Sequence, residues 1–310
     1  MDATLQSVIA EELGESAVIT DHLEEGLINE TYRVEHAGTA YIMQVSPSDE
    51  NLSRGLQCYR LFSRTDLPVP QVVTETVRTR DGIQYTIVEA LPGETAHLDI
   101  SPERADAAGN ALAKIHEAVS VERPGWLRFD DGVSTTTFAE GSLRAWRLRK
   151  VRDNARYMRE NGMDAAGLAV ADHFDEITAM PSTEAGEAVL CHNDFSPDNL
   201  LFENDTLTGI IDFDHAYAGD RYRDLAKSAV GFWMHQPDAD WNVHEMVYEG
   251  YRSVAELDEH FADNEPAYRA ESLAVTLGGM ARLGELTEDE KEFYTDEILA
   301  ALARIEDCGG

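Results

Sequence analysis

Lysine is nearly missing from this chain. Four occur, at Lys114, Lys150, Lys227 and Lys291, and the 25 Lys+Arg face 59 Asp+Glu, for a formal net charge of -34. Such a surface excludes nucleic acid and anionic membrane as partners, because phosphate binding needs clustered Lys and Arg. Long apolar runs are missing as well: no stretch reaches the roughly 18 residues of a membrane span. The opening stretch MDATLQSVIAEELGES has neither the basic flank nor the apolar core of a secretory signal, so none is expected. Cysteine is limited to Cys58, Cys191 and Cys308. With no short spacing among them, neither a disulfide framework nor a zinc set is expected, and a reducing cytoplasm is the expected location. Internal repeats and low-complexity linkers are lacking too.

What remains is an ordinary globular composition under an unusual charge. Of 310 residues, 43% are hydrophobic and 8% aromatic, enough to bury a large core. The length suits one or two domains. A folded chain of this mass exposes roughly 13,000 Å², about one acidic group per ~220 Å². That spacing, about 15 Å, is comparable to the ~10 Å Debye length of 0.1 M salt and far above the ~3 Å of 1 M salt. Excess acid together with scarce lysine resembles the proteins of salt-accumulating halophiles.

Two textures divide the chain. Residues 4–13 read as a short helix. Segments 17–23, 28–35, 39–46, 71–78 and 83–89 are short and rich in β-branched or aromatic residues, which predicts strands. Ala37-Gly38 and Asp81-Gly82 supply hairpin turns. Residues 50–64 read as a helix that stops before Leu67-Pro68-Val69-Pro70. The expectation is a five-stranded antiparallel sheet carrying one helix, closed by a hinge at 88–93. Beyond it, 103–119, 137–160, 165–179, 222–234, 241–254, 265–283 and 288–305 read as helices. Thr287 and Glu290 form a capping-box pattern for the last. A β-rich island at 187–214 interrupts them, with polar residues at the ends of apolar strands.

The island carries the chemistry. It reads Cys191-His192-Asn193-Asp194-Phe195-Ser196-Pro197-Asp198-Asn199, then Gly209-Ile210-Ile211-Asp212-Phe213-Asp214. The skeleton is H-x-D-x-x-x-x-N followed by an Asp that ends an apolar strand. With 10 His, 27 Asp and 10 Asn, a chance match to the first part is expected about 0.03 times per chain. An Asp just after a strand can position a hydroxyl in line with a terminal phosphate and accept its proton. Asn199 and Asp212 offer the hard oxygen donors that Mg²⁺ prefers. His192 reads as a structural histidine of the loop, Cys191 as a buried small residue, and Asp224 as a helix-start carboxylate bracing the loop. Trp126 and Trp146 read as packing before sugar platforms, and the acidic residues of 241–300 as solvated surface.

With these residues in view, the sequence resembles the aminoglycoside phosphotransferase family, which includes the choline, homoserine and hexosamine kinases. The likeness rests on His192-Asn193-Asp194 to Asn199, Ile211-Asp212-Phe213-Asp214, Gly219-Asp220 and Asp224-Leu225-Ala226. Weaker likenesses are Gly26-Leu27-Ile28-Asn29-Glu30-Thr31-Tyr32, Leu67-Pro68-Val69-Pro70 and Leu112-Ala113-Lys114-Ile115-His116. The resemblance implies an α+β, two-lobed protein-kinase-like fold: residues 1–90 a nucleotide-binding lobe with a small antiparallel sheet, residues 91–310 a mainly helical catalytic and substrate lobe. It implies Asp194 as catalytic base, Asn199 and Asp212 as magnesium ligands, adenine on the backbone near Glu89–Leu91, and Asp214 as a second acidic contributor.

One departure stands out. The family's third strand usually carries a Lys paired with a helix Glu, whereas here Gln44 stands at the Lys position and the Glu position falls near Gly55. Losing both is coherent, since a lone buried charge is costly. The reading is therefore an ATP- and Mg²⁺-dependent phosphotransferase acting on a hydroxyl of a sugar, amino sugar or amino alcohol, with Gln44 at the nucleotide. The alternative, which Gln44 and Gly55 favour, is a regulatory nucleotide-binding pseudokinase.

Overall fold

The structure, a computed structural model, describes residues 3–23, 29–47, 49–96, 100–129, 132–178 and 188–308. In chain order its elements are α1 (Ala3–Leu13), β1 (Val18–Leu23), β2 (Glu30–His36), β3 (Thr39–Ser46), α2 (Asp49–Phe62), β4 (Arg78–Arg80), β5 (Ile83–Glu89) and β6 (Glu94–Thr95). There follow α3 (Pro102–Ala118), β7 (Ser120–Val121), β8 (Gly125–Arg128), β9 (Ser134–Thr136), α4 (Leu143–Glu160), α5 (Asp164–Asp172) and α6 (Phe174–Thr178). The last part holds β10 (Ala188–Cys191), β11 (Leu200–Glu203), β12 (Thr206–Ile210), β13 (Tyr217–Gly219), α7 (Arg221–His235), α8 (Val243–Arg252), α9 (Glu259–Leu283) and α10 (Glu288–Cys308).

These elements form two compact units. The first holds α1 to β6 together with β11 and β12; the second holds the remainder. The chain enters the first unit again at Pro197 and leaves it after Ala216. The β-rich island is thus shared out: its loop up to Ser196 belongs to the second unit, its hairpin to the first.

In the first unit the five-stranded sheet has the order β1-β2-β3-β5-β4, antiparallel throughout. Strands β3 and β5 have the expected bounds. Both expected turns carry two left-handed residues, Ala37 and Gly38 at φ 51 and 85, Asp81 and Gly82 at φ 49 and 80, which matches the twist of a two-residue hairpin. The inward residues Val34, Met43, Tyr85 and Ile87 pack with Leu5, Val8 and Ile9 of α1. The expected strand 71–78 is not one. Val72 makes a single bridge to Val88, and the Thr74 hydroxyl takes over the Ile87 N–H at 2.9 Å. Backbone bonds persist, the Val73 and Thr74 N–H groups both donating to the Ile87 carbonyl, but the hydroxyl breaks the regular ladder, and only 78–80 pairs as a strand.

The second unit is mainly helical around a sheet of order β7-β10-β13-β8-β9. Its strands are two to four residues long, too short for periodicity to announce most of them. The helix expected from 137 begins at Leu143, because Gly141 is left-handed at φ 88 and Ser142 caps the helix by accepting from the Ala145 N–H. The helix expected from 265 begins at Glu259, capped by the Asp258 carboxylate on the Phe261 N–H at 3.0 Å. The capping box before α10 forms as read: the Glu290 carboxylate accepts from the Thr287 N–H at 2.8 Å, and the Thr287 hydroxyl from the Glu290 N–H.

Candidate active site

The first unit holds five of the six predicted site residues, Gln44, Glu89, Leu91, Asn199 and Asp212. Asn199 closes a single 3-10 turn before β11, and Asp212 follows β12. The two strands pair antiparallel with Leu200 opposite Ile210, and the Ile211 N–H donates to the Asn199 carbonyl at 3.0 Å. Both residues therefore stand at one end of a single hairpin. Asp212 is left-handed at φ 60, ψ 60, a conformation Asp tolerates better than most side chains. The Tyr59 hydroxyl of α2 accepts its N–H at 3.0 Å, and its own carboxylate accepts the Asp214 N–H at 3.4 Å.

Asp214, in the same unit, is a buried acid, 5% exposed. Its Oδ2 accepts from the Asn29 amide at 2.8 Å, and Arg54 donates to its carbonyl. Burial first, and the Asp212 carboxylate second, push its carboxyl up to about 7, with Asn29 and Arg54 pulling the other way. Asn29 Oδ1 is buried and makes no hydrogen bond among the described residues. Helix α2 passes so near that a Cβ on Gly55 would lie 2.4 Å from Asp214 Oδ1. A carboxylate thus does stand at Gly55, although it comes from Asp214 and not from the helix.

The remaining first-unit candidates sit on or just beyond the sheet. Gln44 is half-buried on β3 between Thr31 and Thr86. Glu89 ends β5, its N–H donating to the Gln71 carbonyl and the next N–H, of Ala90, to that of Ala40. Leu91 packs over Gly209 beside Leu201. Of the expected nucleotide loop, Gly26 to Ile28 lie outside the described residues.

The second unit holds Asp194. It follows β10 on a loop where Asn193 is left-handed at φ 67. Asp224, in the first turn of α7, clamps that loop: its two oxygens accept the His192 and Asn193 N–H groups, both at 2.9 Å. His116 stands 3.2 Å from Asp224 Oδ2 on one side and 3.0 Å from the Tyr251 hydroxyl on the other. Burial alone would raise the Asp224 pKa, but these partners outweigh it and hold the group ionised, below the usual carboxylate range. His192 is fully buried, and its Nδ1 accepts the Asp194 N–H at 3.3 Å. The structural roles read for Asp224 and His192 are the ones they play.

Lys227, one helical turn beyond Asp224, donates to the Asn193 carbonyl. Burial pulls its pKa down, with the Asp194 carboxylate opposing. The sequence reading missed it; its signal was a scarce lysine at i+3 from Asp224. Glu271 was missed as well. It is fully buried between Arg147 and Arg223, whose Nε atoms stand 3.0 and 2.8 Å from its oxygens, and Arg223 also reaches the Tyr217 hydroxyl. Trp146 is 5% exposed in a core with Phe138, Cys191 and Tyr217, so it is packing and no sugar platform. His116, Cys191 and Asp224 have ligand atoms close enough to hold a cation. Both Asp224 oxygens are already engaged by N–H groups, and the Cys191 thiol points at the Val189 and Asp220 carbonyls. The cluster is therefore read as a hydrogen-bonded brace.

Among the described residues no helix is long and apolar enough to cross a membrane. A homoserine kinase of Beijerinckia indica subsp. indica is 27% identical over 258 residues, 78% of this chain and 73% of the relative. Hygromycin-B 4-O-kinase of Escherichia coli is 23% identical over 68% of this chain and 61% of its own length. The crystal structure of aminoglycoside phosphotransferase APH(4)-Ia superposes with a TM-score of 0.68 at 20% identity, covering 97% of this chain and 98% of that one. The α+β fold is accordingly protein-kinase-like. A model of the phosphotransferase enzyme family matches residues 21–260, most of the chain, and the chain belongs to that family.

Proposed function

We propose that this enzyme transfers the terminal phosphoryl group of ATP to a hydroxyl of a small molecule, a sugar, amino sugar or amino alcohol, with Asp194 as base. The carrying observation is the hairpin end that holds Asn199 and Asp212 side by side through the Ile211 N–H. An amide and a carboxylate are the hard donors suited to Mg²⁺, and the unsatisfied Asn29 oxygen adds a polar group on the same unit. The residues present fit magnesium, and bound ATP with Mg²⁺ would supply the phosphoryl group and neutralise its charge.

The rest falls to the chain's own side chains. Asp194 accepts the proton of the acceptor hydroxyl. Asp224, through the His192 and Asn193 N–H groups, fixes the loop that aims it. Lys227 anchors the same loop at the Asn193 carbonyl. On the sheet, Gln44 and the backbone of Glu89–Leu91 hold the nucleotide. The homoserine, hygromycin and aminoglycoside kinases among the relatives support hydroxyl acceptors. The buried free thiols of Cys58 and Cys191 suit a reducing cytoplasm.

The test is ATP turnover in molar KCl with a panel of sugars, amino alcohols and aminoglycosides, on the native protein and on Asp194→Asn. Loss of a general base lowers kcat by about 10²–10⁴-fold with little change in the KM for ATP. Near-native turnover in the variant would remove Asp194 from the role. Undiminished activity in excess chelator would remove the metal.

A further inference from the structure

A cavity of about 220 Å³ lies within the second unit, where the end of α7 and the start of α8 meet α9 and α10. Its lining includes Trp233, Trp241, His244, Arg269, Glu297 and Arg304. It is not on the catalytic-loop side of α7. Lys227 and Gly231, four residues apart, share the face that meets the loop: Lys227 donates to the Asn193 carbonyl, and a Cβ on Gly231 would touch Ser196 at 3.5 Å. Trp233 comes six residues after Lys227, which at about 100° per residue turns it roughly 240° around the helix.

The chemistry of the lining is specific. In a chain of charge -34, these six side chains include two guanidiniums against one carboxylate. Arg269 also pairs with Glu265, outside the cavity. Helix α8 starts here, with Asn242 capping it through the Glu245 N–H, so its positive end adds to the two arginines. His244, in the first turn of α8, is 8% exposed, and its Nε2 makes no hydrogen bond among the described residues. Leaving such a group buried without a partner is costly, so a ligand atom there is favoured. Trp233 lies over the His244 ring at 5.8 Å and, with Trp241, supplies apolar wall. Burial and the two arginines hold the imidazole neutral, its pKa down at about 3, so it can offer an N–H without adding charge.

We infer that this cavity is a binding site for a free α-amino acid, with the carboxylate at Arg269, Arg304 and the start of α8, the ammonium at Glu297, and the side chain on the tryptophans. The size agrees. Sites for drug-sized ligands run to about 300–1,000 Å³, so this one is too small for an oligosaccharide. Its two arginines oppose a polycation. The single carboxylate among them separates an amino acid from a simple anion.

Calorimetric titration of the full chain in 2 M KCl without ATP, using the twenty standard amino acids and L-homoserine one at a time, tests this. At least one binds with Kd at or below about 1 mM, with a change in tryptophan fluorescence. For that ligand, the amine lacking its carboxylate and the acid lacking its ammonium each bind at least tenfold more weakly. Arg304→Gln, at an exposed position, weakens binding at least tenfold while circular dichroism is unchanged. No binding by any of the amino acids at 10 mM, full affinity in Arg304→Gln, or tighter binding of inorganic phosphate overturns the inference. The amino acid that binds here is an effector and is not consumed with ATP; consumption of that ligand would place it at the acceptor hydroxyl site by Asp194 and overturn the inference. Because the titration omits ATP and Asp194→Asn must bind equally, its failure is separable from failure of the proposed reaction.

Discussion

Gly55 of α2 and Asp214 stand in such contact that a Cβ on the glycine would lie 2.4 Å from the aspartate Oδ1. Gly55 carries no side chain, and the carboxylate of Asp214 fills the space where one would stand. The acid beside Gly55 comes from the segment that follows Asp212 at the end of β12.

Gly55→Ala decides how rigid that arrangement is. Alanine gains up to about 1 kcal/mol in a helix interior, whereas overpacking a filled space costs about 1–3 kcal/mol. Asn29 holds the Asp214 carboxylate, so the clash wins and the variant melts lower. In an Asp214→Ala background the same change raises the melting temperature. A double-mutant cycle reads the coupling directly; additive effects would show that the carboxylate simply turns aside.

Asp224→Asn keeps shape and loses acceptors. Its two oxygens serve two N–H groups of the loop, and an amide can accept only one while presenting its own N–H to the other. A displacement of the Asp194 loop by about 1 Å costs on the order of a hundredfold in rate. The expected result is kcat down by about that factor, with the KM for ATP changed less than threefold. A matching rise in KM with native kcat would show that the clamp serves nucleotide binding instead.

The sequence made part of this legible and hid the rest for physical reasons. The loop of His192, Asp194 and Asn199 was readable because its spacing rarely arises by chance, and β3 and β5 because seven or eight residues are long enough to count. Strands of two to four residues, such as those of β7 to β9, leave no period to see. The grouping of Pro197–Ala216 with the first unit depends on contacts across more than a hundred residues. Glu271 was lost in an acidic stretch that reads as surface; only its burial between two arginines from elsewhere in the chain distinguishes it.

That buried acid gives a pH prediction. Burial alone would raise the Glu271 carboxyl, but Arg147 and Arg223 outweigh it and hold the group down at about 2. A depressed carboxylate stabilises the fold fully above the unfolded value, near 4.5, and loses that contribution as pH falls from there towards 2. The native urea midpoint should drop through this window. Glu271→Gln, which takes the carboxylate from two buried guanidiniums, should cost about 3–5 kcal/mol at neutral pH and show a shallower decline between pH 5 and 3. Parallel curves for the two proteins would assign the acid transition to other carboxylates.

Salt should stabilise this protein. Its surface of 14768 Å² divided among 59 acidic residues leaves about 250 Å² for each, a spacing of about 16 Å. Two effects of added KCl compete. Screening weakens exposed pairs such as Arg252–Glu245, at 2.6 Å, and Arg156–Asp153, at 3.6 Å, but each such pair is worth only about 0.2–1 kcal/mol. The 25 Lys+Arg also leave an excess of 34 acidic charges, and their mutual repulsion falls as the Debye length shrinks from about 10 Å at 0.1 M to about 3 Å at 1 M. Repulsion is shared by more groups than attraction, so its relief dominates. The melting temperature should rise by at least about 5 °C between 0.1 M and 2 M KCl, a change of roughly 3 kcal/mol for a chain of this size. Most of the rise should come below 1 M, where the Debye length changes most. A rise confined to higher concentrations would point to salt exclusion from the surface, and a flat or falling curve would show that the attractive pairs outweigh the excess.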